Sequence, residues 1–584
     1  MMNMTPAEQA SAEALEQIRH CIDNNLSFRL EAGAGAGKTY SLIESIGYLI
    51  SHKDNLLLNN RQQIACITYT NVAKDEIKDR TDHNPVIFSD TIHAFCWNIL
   101  QPYQVKLREY IPELGEKWKQ RIANSSLSIN NQIVKYDLGF PSINEKEITL
   151  HHDDVVLLMS IMLSYPKFQK QLRSKFPIIF IDEYQDTDRN LAESIIANLI
   201  DNDSGVMVGF FGDHWQKIYG KSACGLISSI KGKIIEIGKK ANFRSDKNIV
   251  QCLNRMRPDL PQAESNPDSE GVVRVFHSNN WSGVRRDGKG GGHWKGDLPE
   301  SDVRDYISKI KAQMVEDGWD LSPEKTKILF LTNNNIASEQ GFKNLADYFF
   351  YTDDYLKKND KYIKFFLEVV EPALFAYEHK QYGELLQIKK GNYSQLKCQS
   401  DKTTWLRNLD RAFQIKSTGT IGDMLDLLME TNVPQISSKV KDLEIEFKKL
   451  ISQQSRELKD DELKFITKLN KFHSISYQEL SCLGAYIDDK TPFSTQHGVK
   501  GAQFDNVLVI CGRGWNQYNW NQMLEWMDGS YPAEKQDTFE RNRNLFYVSC
   551  SRAKHNLTLL FTQELSQQSI TVLEKIFGSV SPIE

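Results

Sequence analysis

The residues that could do chemistry begin at Ala32-Gly33-Ala34-Gly35-Ala36-Gly37-Lys38-Thr39, between a short apolar run and a helical pattern through Leu42, Ile43, Ile46 and Leu49. Glycine at alternate positions lets the backbone N–H groups of Ala34, Gly35, Ala36 and Gly37 curl around a phosphate. Lys38 then reaches the β- and γ-phosphates, and Thr39 holds Mg²⁺ at a helix N-terminus. A second cluster, Pro177-Ile178-Ile179-Phe180-Ile181-Asp182-Glu183-Tyr184-Gln185-Asp186, ends an apolar run in adjacent carboxylates. Asp182 is placed to bind Mg²⁺, and Glu183 to orient or deprotonate an attacking water. Acidic pairs are usually solvated surface, but beside a phosphate loop this one points to hydrolysis of a nucleoside triphosphate.

Such groups must be delivered by strand ends. Short β-rich apolar runs at 26–30, 64–69, 178–181, 206–211 and 234–237 predict one parallel sheet covered on both faces, and runs at 272–276, 328–332, 507–511 and 557–561 predict another. Two stretches, 97–170 and 342–490, are helical and charged instead; in the second, Val440, Leu443, Phe447, Leu450 and Ile451 fall at three- and four-residue steps. The fold class is α/β, with two sheet domains each interrupted by a helical insertion. Residues 278–296 carry Trp281, Arg285, Arg286, Lys289, Trp294 and Lys295 among glycines, and read either as a flexible surface loop or as a nucleic-acid contact.

The length of 584 residues exceeds what one core fills, so at least two domains are expected. No run approaches the roughly 20 apolar residues needed to span a bilayer, which predicts a cytoplasmic, unprocessed chain with no membrane partner. Nine cysteines scattered without close spacing read as reduced core residues. The formal net charge of -5 argues against coating nucleic acid by bulk attraction, so any track for it must be a local groove.

With both ATPase segments in place, further segments in the same order resemble the UvrD/Rep/PcrA group of superfamily 1 helicases along nearly the whole chain. The resemblance implies two RecA-like parallel-sheet domains, residues 1–96 with 171–238 and residues 239–341 with 491–584, and ATP with Mg²⁺ as ligands. Thr5-Pro6-Ala7-Glu8-Gln9 is similar to the adenine-reading segment, so Gln9 would bond the base edge; an ordinary helix start is the local alternative. Ile67-Thr68-Tyr69-Thr70-Asn71 and Thr91-Ile92-His93-Ala94-Phe95 resemble DNA-contact segments, with Tyr69, Thr70, Asn71, His93 and Phe95 on the track. In Phe211-Gly212-Asp213-His214-Trp215-Gln216-Lys217-Ile218-Tyr219 the likeness puts Gln216 at the γ-phosphate and Tyr219 on DNA. Where the family often follows with Gly-Trp-Arg-Gly, this chain has Gly220-Lys221-Ser222-Ala223, so one base-stacking platform is missing.

In the second domain, Asn242-Phe243-Arg244-Ser245 resembles the segment with the first arginine finger, Arg244, and with Phe243 stacking on adenine opposite Tyr40. The segment around Arg552 resembles the last motif, making it the second finger. Thr495-Gln496-His497-Gly498-Val499-Lys500-Gly501-Ala502-Gln503 resembles the segment coupling DNA to nucleotide. His497 and Lys500 would face the strand, and Gln503 stands where the family usually has a ribose-binding glutamate.

The likeness implies an ATP-dependent motor running 3′ to 5′ on single-stranded or partly duplex DNA. About thirty residues follow Ala553, too few for a nuclease domain. The chain is thus similar to compact UvrD-like helicases paired with an OLD-family nuclease in Gabija-type anti-phage defence. Housekeeping repair stays open. So does a DNA-activated ATPase that senses ends and regulates a partner without processive unwinding. A signalling ATPase indifferent to nucleic acid would have no use for Tyr69, His93, Phe95, Tyr219 or His497.

Overall fold

The computed structural model describes residues 4–137, 140–220, 222–287, 293–388, 398–452 and 458–583. Helix α1 (Pro6–Asp23) starts where local chemistry sets it. The Thr5 hydroxyl accepts from the Glu8 N–H, the Glu8 carboxylate accepts from the Thr5 N–H, and Pro6 sits where no intrahelical N–H is needed. Its Ala14, Ile18 and Ile22 face is buried against Leu30, Leu42 and Ile46.

In chain order the strands are β1 (Phe28–Ala32), β2 (Ile64–Thr68), β3 (Ile87–Thr91), β4 (Ile133–Tyr136), β5 (Ser142–Ile143), β6 (Glu147–Leu150), β7 (Ile178–Asp182), β8 (Met207–Gly212), β9 (Ile235–Lys239), β10 (Ala241–Asn242), β11 (Ala263–Glu264), β12 (Val272–His277), β13 (Thr326–Phe330), β14 (Phe493–Thr495), β15 (Phe504–Cys511), β16 (Ala553–Phe561) and β17 (Ser581–Pro582). The first large sheet has the order β3-β2-β7-β8-β1-β9, parallel throughout. Strands β1, β2, β7 and β8 are buried at every residue, as covering both faces requires. Their register sets Leu30 beside Phe211 and Asp182 beside Phe211, so the phosphate loop and the acidic pair leave the sheet at its carboxyl edge. Open parallel sheets bind ligands at that edge.

The second sheet has the order β14-β13-β15-β16-β12-β17, again parallel. The described part of 342–490 is helical and shares a core with this sheet, Leu425, Phe472 and Tyr477 packing with Phe330. Residues 97–170 correct the expectation of a purely helical insertion: β4, β5 and β6 form a small mixed sheet there. Its alternating pattern buries Val134, Ile148 and Leu150 in one core with Trp118 and leaves the other face wet.

The described ends of 278–296 are tied down, contrary to a free loop. Arg285 donates to Ser278 O (2.6 Å) and Thr562 O (2.9 Å), Arg286 N donates to Asp297 O (2.9 Å), and Gly514 N donates to His293 O (2.9 Å). Lys289, like Lys221, lies outside the described residues. Among the described residues no helix is long and apolar enough to cross a membrane.

Candidate nucleotide cleft and nucleic-acid face

After β1 the chain turns through Gly35 and Gly37, both at φ +75°, a left-handed conformation that glycine adopts without penalty. Gly37 caps helix α2 (Lys38–Asn59), which places Lys38 and Thr39 in its first turn. Lys38 Nζ lies 2.9 Å from Glu183 Oε2. Burial alone would lower the Lys38 ammonium, but Glu183, Asp213 and Asp182 outweigh it and hold it above its usual range. Burial and then the Glu183 charge push Asp182 up to about 7. Glu183 goes the other way, to about 2, because Lys38 and Lys500 overcome its burial. Glu183 also sits at φ +47°, costly backbone for a non-glycine residue and typical of sites where a side chain must be aimed.

Behind this pair is a fixed polar relay. Asp213 N donates to Gln185 Oε1 (3.0 Å), the Gln216 amide donates to Asp213 Oδ2 (2.8 Å), and Arg257 donates to Asp213 Oδ1 (2.6 Å). Glu31, Asp213 and His214 bring ligand-type atoms within 4.8 Å of one another. Arg257 and Arg29 already compensate the Glu31 carboxylate, with His214 Nδ1 3.0 Å from it, so this cluster reads as a polar strut and not as a cation site.

Two guanidinium groups of another kind reach the phosphate loop's side of the molecule, Arg244 just after β10 and Arg552 just before β16. Arg552 is 1% exposed and makes only neutral hydrogen bonds, to Val548 O (2.9 Å), Ala502 O (3.2 Å) and Ser551 Oγ (2.9 Å). Burial and then Arg244 drive its charged form well down from the usual arginine range. Arg244 donates to Ser551 O (2.8 Å) and Gln503 Oε1 (3.2 Å), and burial lowers it to about 10. Among the described residues no carboxylate is bonded to either, and two such neighbouring cations are a standing demand for an anion. They also press on the phosphate loop: a Cβ on Gly35 would stand 2.7 Å from Arg244 Cβ, and Phe243 N donates to Gly35 O (2.9 Å).

Tyr40 and Phe243 are half-exposed and flank one ammonium, Lys239 Nζ, at 5.4 and 5.9 Å from their ring centres. Lys239 donates to Gly37 O (3.1 Å) and Ser41 Oγ (2.7 Å), and burial lowers it to about 8. Its importance has no sequence signature; it arises only because β9 ends beside the loop. Gln9 does not join this group: its amide donates to Glu13 Oε1 (3.1 Å) on the exposed side of α1.

On the nucleic-acid side, Tyr69 and Asn71 are exposed, while the Thr70 hydroxyl caps the following helix by accepting from Ala73 N (3.2 Å). His93 packs edge-on against His152 of the first insertion at 4.6 Å, and burial, then His152, lower its pKa. Phe95 corrects its assignment: it is 3% exposed and packs against Phe88 and Phe176, because its helix turns that face to the core. Tyr219, 45% exposed, donates to His497 O across the sheets (2.7 Å), with Lys500 Nζ 5.2 Å from its ring and paired to Asp186. Burial lowers His497 to about 4, so its ring is neutral at pH 7.

Residues 16–222 match the family model described as an AAA domain, and residues 330–564 match that of the UvrD-like helicase C-terminal domain. The Gabija protein GajB of Bacillus cereus is 26% identical over 98% of this chain and 98% of its own length. The ATP-dependent DNA helicases PcrA of Staphylococcus epidermidis and Staphylococcus aureus are each 26% identical, over 38% of this chain and 37% of theirs.

Proposed function

Because the chain belongs to the UvrD-like helicase family and is an ATP-hydrolysing DNA helicase, we propose that it translocates 3′ to 5′ on single-stranded DNA within an anti-phage assembly that includes a separate OLD-family nuclease. In this reading residues 1–96 with 171–238 form one RecA-like lobe and 239–341 with 491–584 the other; 97–170 and 342–490 are insertions. The observation that carries the motor reading is the Arg244–Arg552 pair, two guanidiniums without a carboxylate, brought by the second lobe against the phosphate loop of the first.

The loop N–H groups of Ala34, Gly35, Ala36 and Gly37 cradle the phosphates, and Lys38 leaves Glu183 to meet them. Glu183 is then free to orient the attacking water. Thr39 and Asp182 offer a hydroxyl and a carboxylate, the oxygen donors a hard cation takes, and burial with the Glu183 charge pushes Asp182 up to about 7 despite Lys38, so a bound cation would favour its ionised form. Thr39 and Asp182 would hold Mg²⁺, which would supply charge neutralisation at the phosphate oxygens. Gln216, held by Asp213, meets the γ-phosphate, and Arg244 and Arg552 stabilise the charge of the transition state. Tyr40 and Phe243 enclose the base, Gln9 turns from Glu13 to its edge, and Gln503 serves the ribose. Tyr69, Thr70, Asn71, His93, Tyr219, His497 and Lys500 form the strand track.

The defence context is supported by the end-to-end similarity to the Gabija protein. The partner would dock on 342–490, where Phe350 is 89% exposed beside Tyr351. ATP hydrolysis with and without single-stranded DNA tests the motor: strong stimulation is expected, and none would remove the DNA role. Duplexes with 3′ or 5′ tails test direction. Co-purification with an OLD-family nuclease, lost when residues 350–480 are replaced by a short linker, tests the docking site. One contact favours the non-unwinding DNA-activated ATPase instead: Gln503 is engaged with Arg244. Failure to unwind any tailed duplex despite DNA-stimulated hydrolysis would decide for it.

A further inference from the structure

The turn after β15 presents a tryptophan that no motif accounts for. Trp515 is 38% exposed, with its ring 5.5 Å from His497 and 5.2 Å from Tyr518. His497 in turn lies 6.3 Å from the Tyr219 ring, so Tyr219, His497 and Trp515 form a continuous line of rings across the two sheets. The Trp515 position is built and not accidental. Gly514, at φ +121°, passes so close under Trp294 that a Cβ would stand 2.6 Å from the indole, and Gly514 N is bonded to His293 O. Tyr518 fixes the other side through a 2.9 Å hydrogen bond with His497 Nε2 and through its carbonyl, which accepts from Arg513.

Two cations adjoin the residues that hold this ring. Arg541 lies 6.0 Å from the Tyr518 ring, its Nε buried without a hydrogen-bond partner, and Lys295 is exposed next to Trp294. Among the described residues neither cation forms an ion pair. An exposed indole packed on Tyr518, with an unpaired guanidinium on that tyrosine, suits a base with its phosphate: the π-face accepts any base, and the guanidinium takes the backbone charge.

We propose that Trp515 is a base-stacking platform of the single-strand track, carried on the second sheet, with Arg541 binding the adjacent phosphate. This rests on the single-strand motor reading.

The test uses the full chain and fluorescently labelled oligothymidylate and oligoadenylate, with affinity read by anisotropy at several salt concentrations. Trp515→Ala weakens both oligonucleotides by about tenfold, within the range of losing one stacked base, and leaves the salt slope unchanged. Trp515→Phe recovers most of that loss. Arg541→Gln lowers the slope by about 0.7, one phosphate contact on a single strand. Trp515→Ala binding within about twofold of the unmodified protein overturns the platform, as does a Trp515→Phe variant as weak as Trp515→Ala. If the unmodified protein binds neither oligonucleotide, the motor reading itself falls with it.

Discussion

The proposed nucleotide cleft and the proposed nucleic-acid face meet along the same seam yet are built on opposite principles. In the cleft nearly every functional side chain is buried and held by bonds: Lys38 to Glu183, Gln216 to Asp213, Asp213 to Arg257. Among the described residues Arg244, Arg552 and Lys239 are left without a countercharge. On the proposed nucleic-acid face the side chains are half-exposed rings, Tyr69, Tyr219 and Trp515. Buried charges interact strongly and act as a unit, whereas exposed stacking surfaces act nearly one at a time. Damage in the cleft should therefore be severe and non-additive, and damage on the face mild and additive.

The largest effects test the first half of that contrast. Arg552→Ala should reduce ATP turnover by about 10³ or more, since it removes a guanidinium from the developing charge. Glu183→Gln should reduce it by at least about 10² while ATP still binds. The double variant should be little worse than Arg552→Ala alone. Steady-state hydrolysis with and without DNA measures all three, and a Glu183→Gln protein that turns over normally would mean the water is oriented by another group.

A second comparison concerns stability. Phe95 looks like a nucleic-acid contact by its segment, but it is core. Phe95→Ala should cost about 3–5 kcal/mol in stability, as large-to-small core changes do. The alternative outcome, weakened DNA binding with an unchanged denaturation midpoint, would restore it to the track. Tyr219→Ala should instead leave the midpoint nearly unchanged and weaken single-strand binding about tenfold for every sequence alike. A loss confined to one sequence would contradict stacking.

What could be read from the sequence follows the same divide. Ala34 to Thr39 and the Asp182–Glu183 pair are contiguous, and their chemistry needs only a strand before and a turn after, so the pattern itself locates them. Strands β1, β7, β8, β15 and β16 were legible as buried apolar runs. Strand β3 was not, because it ends Ser89-Asp90-Thr91, and β14 is only three residues long. The β4–β6 sheet hid inside a charged stretch because four-residue alternation is too short to register. Arg257, Lys239 and Trp515 carry no local signal at all. Each takes its role from residues distant in the chain: Asp213 for the first, Gly37 and Tyr40 for the second, Tyr219 with His497 for the third. Phe95 failed for a related reason: a family segment fixes where a helix starts, but packing decides which of its faces meets solvent.

The smallest expected effect falls where cleft and face join. Gln503 stands on the turn after Lys500, with its carbonyl oxygen accepting from Arg244 Nε at 3.2 Å. If Gln503 also serves the ribose, Gln503→Glu strengthens that bond by giving the hydroxyl an ionised acceptor, and charge-assisted bonds are roughly twice as strong as neutral ones. The KM for ATP should then fall about threefold while kcat changes by less than about twofold. The rival outcome is built into the same geometry. A carboxylate at this position could capture Arg244 as an ion pair and hold it back from the γ-phosphate, which would lower kcat and leave KM alone. The two parameters move in separate directions, so one Michaelis curve with saturating single-stranded DNA separates the cases. A fall in kcat alone would assign Gln503 to restraining Arg244 and leave the ribose to another group.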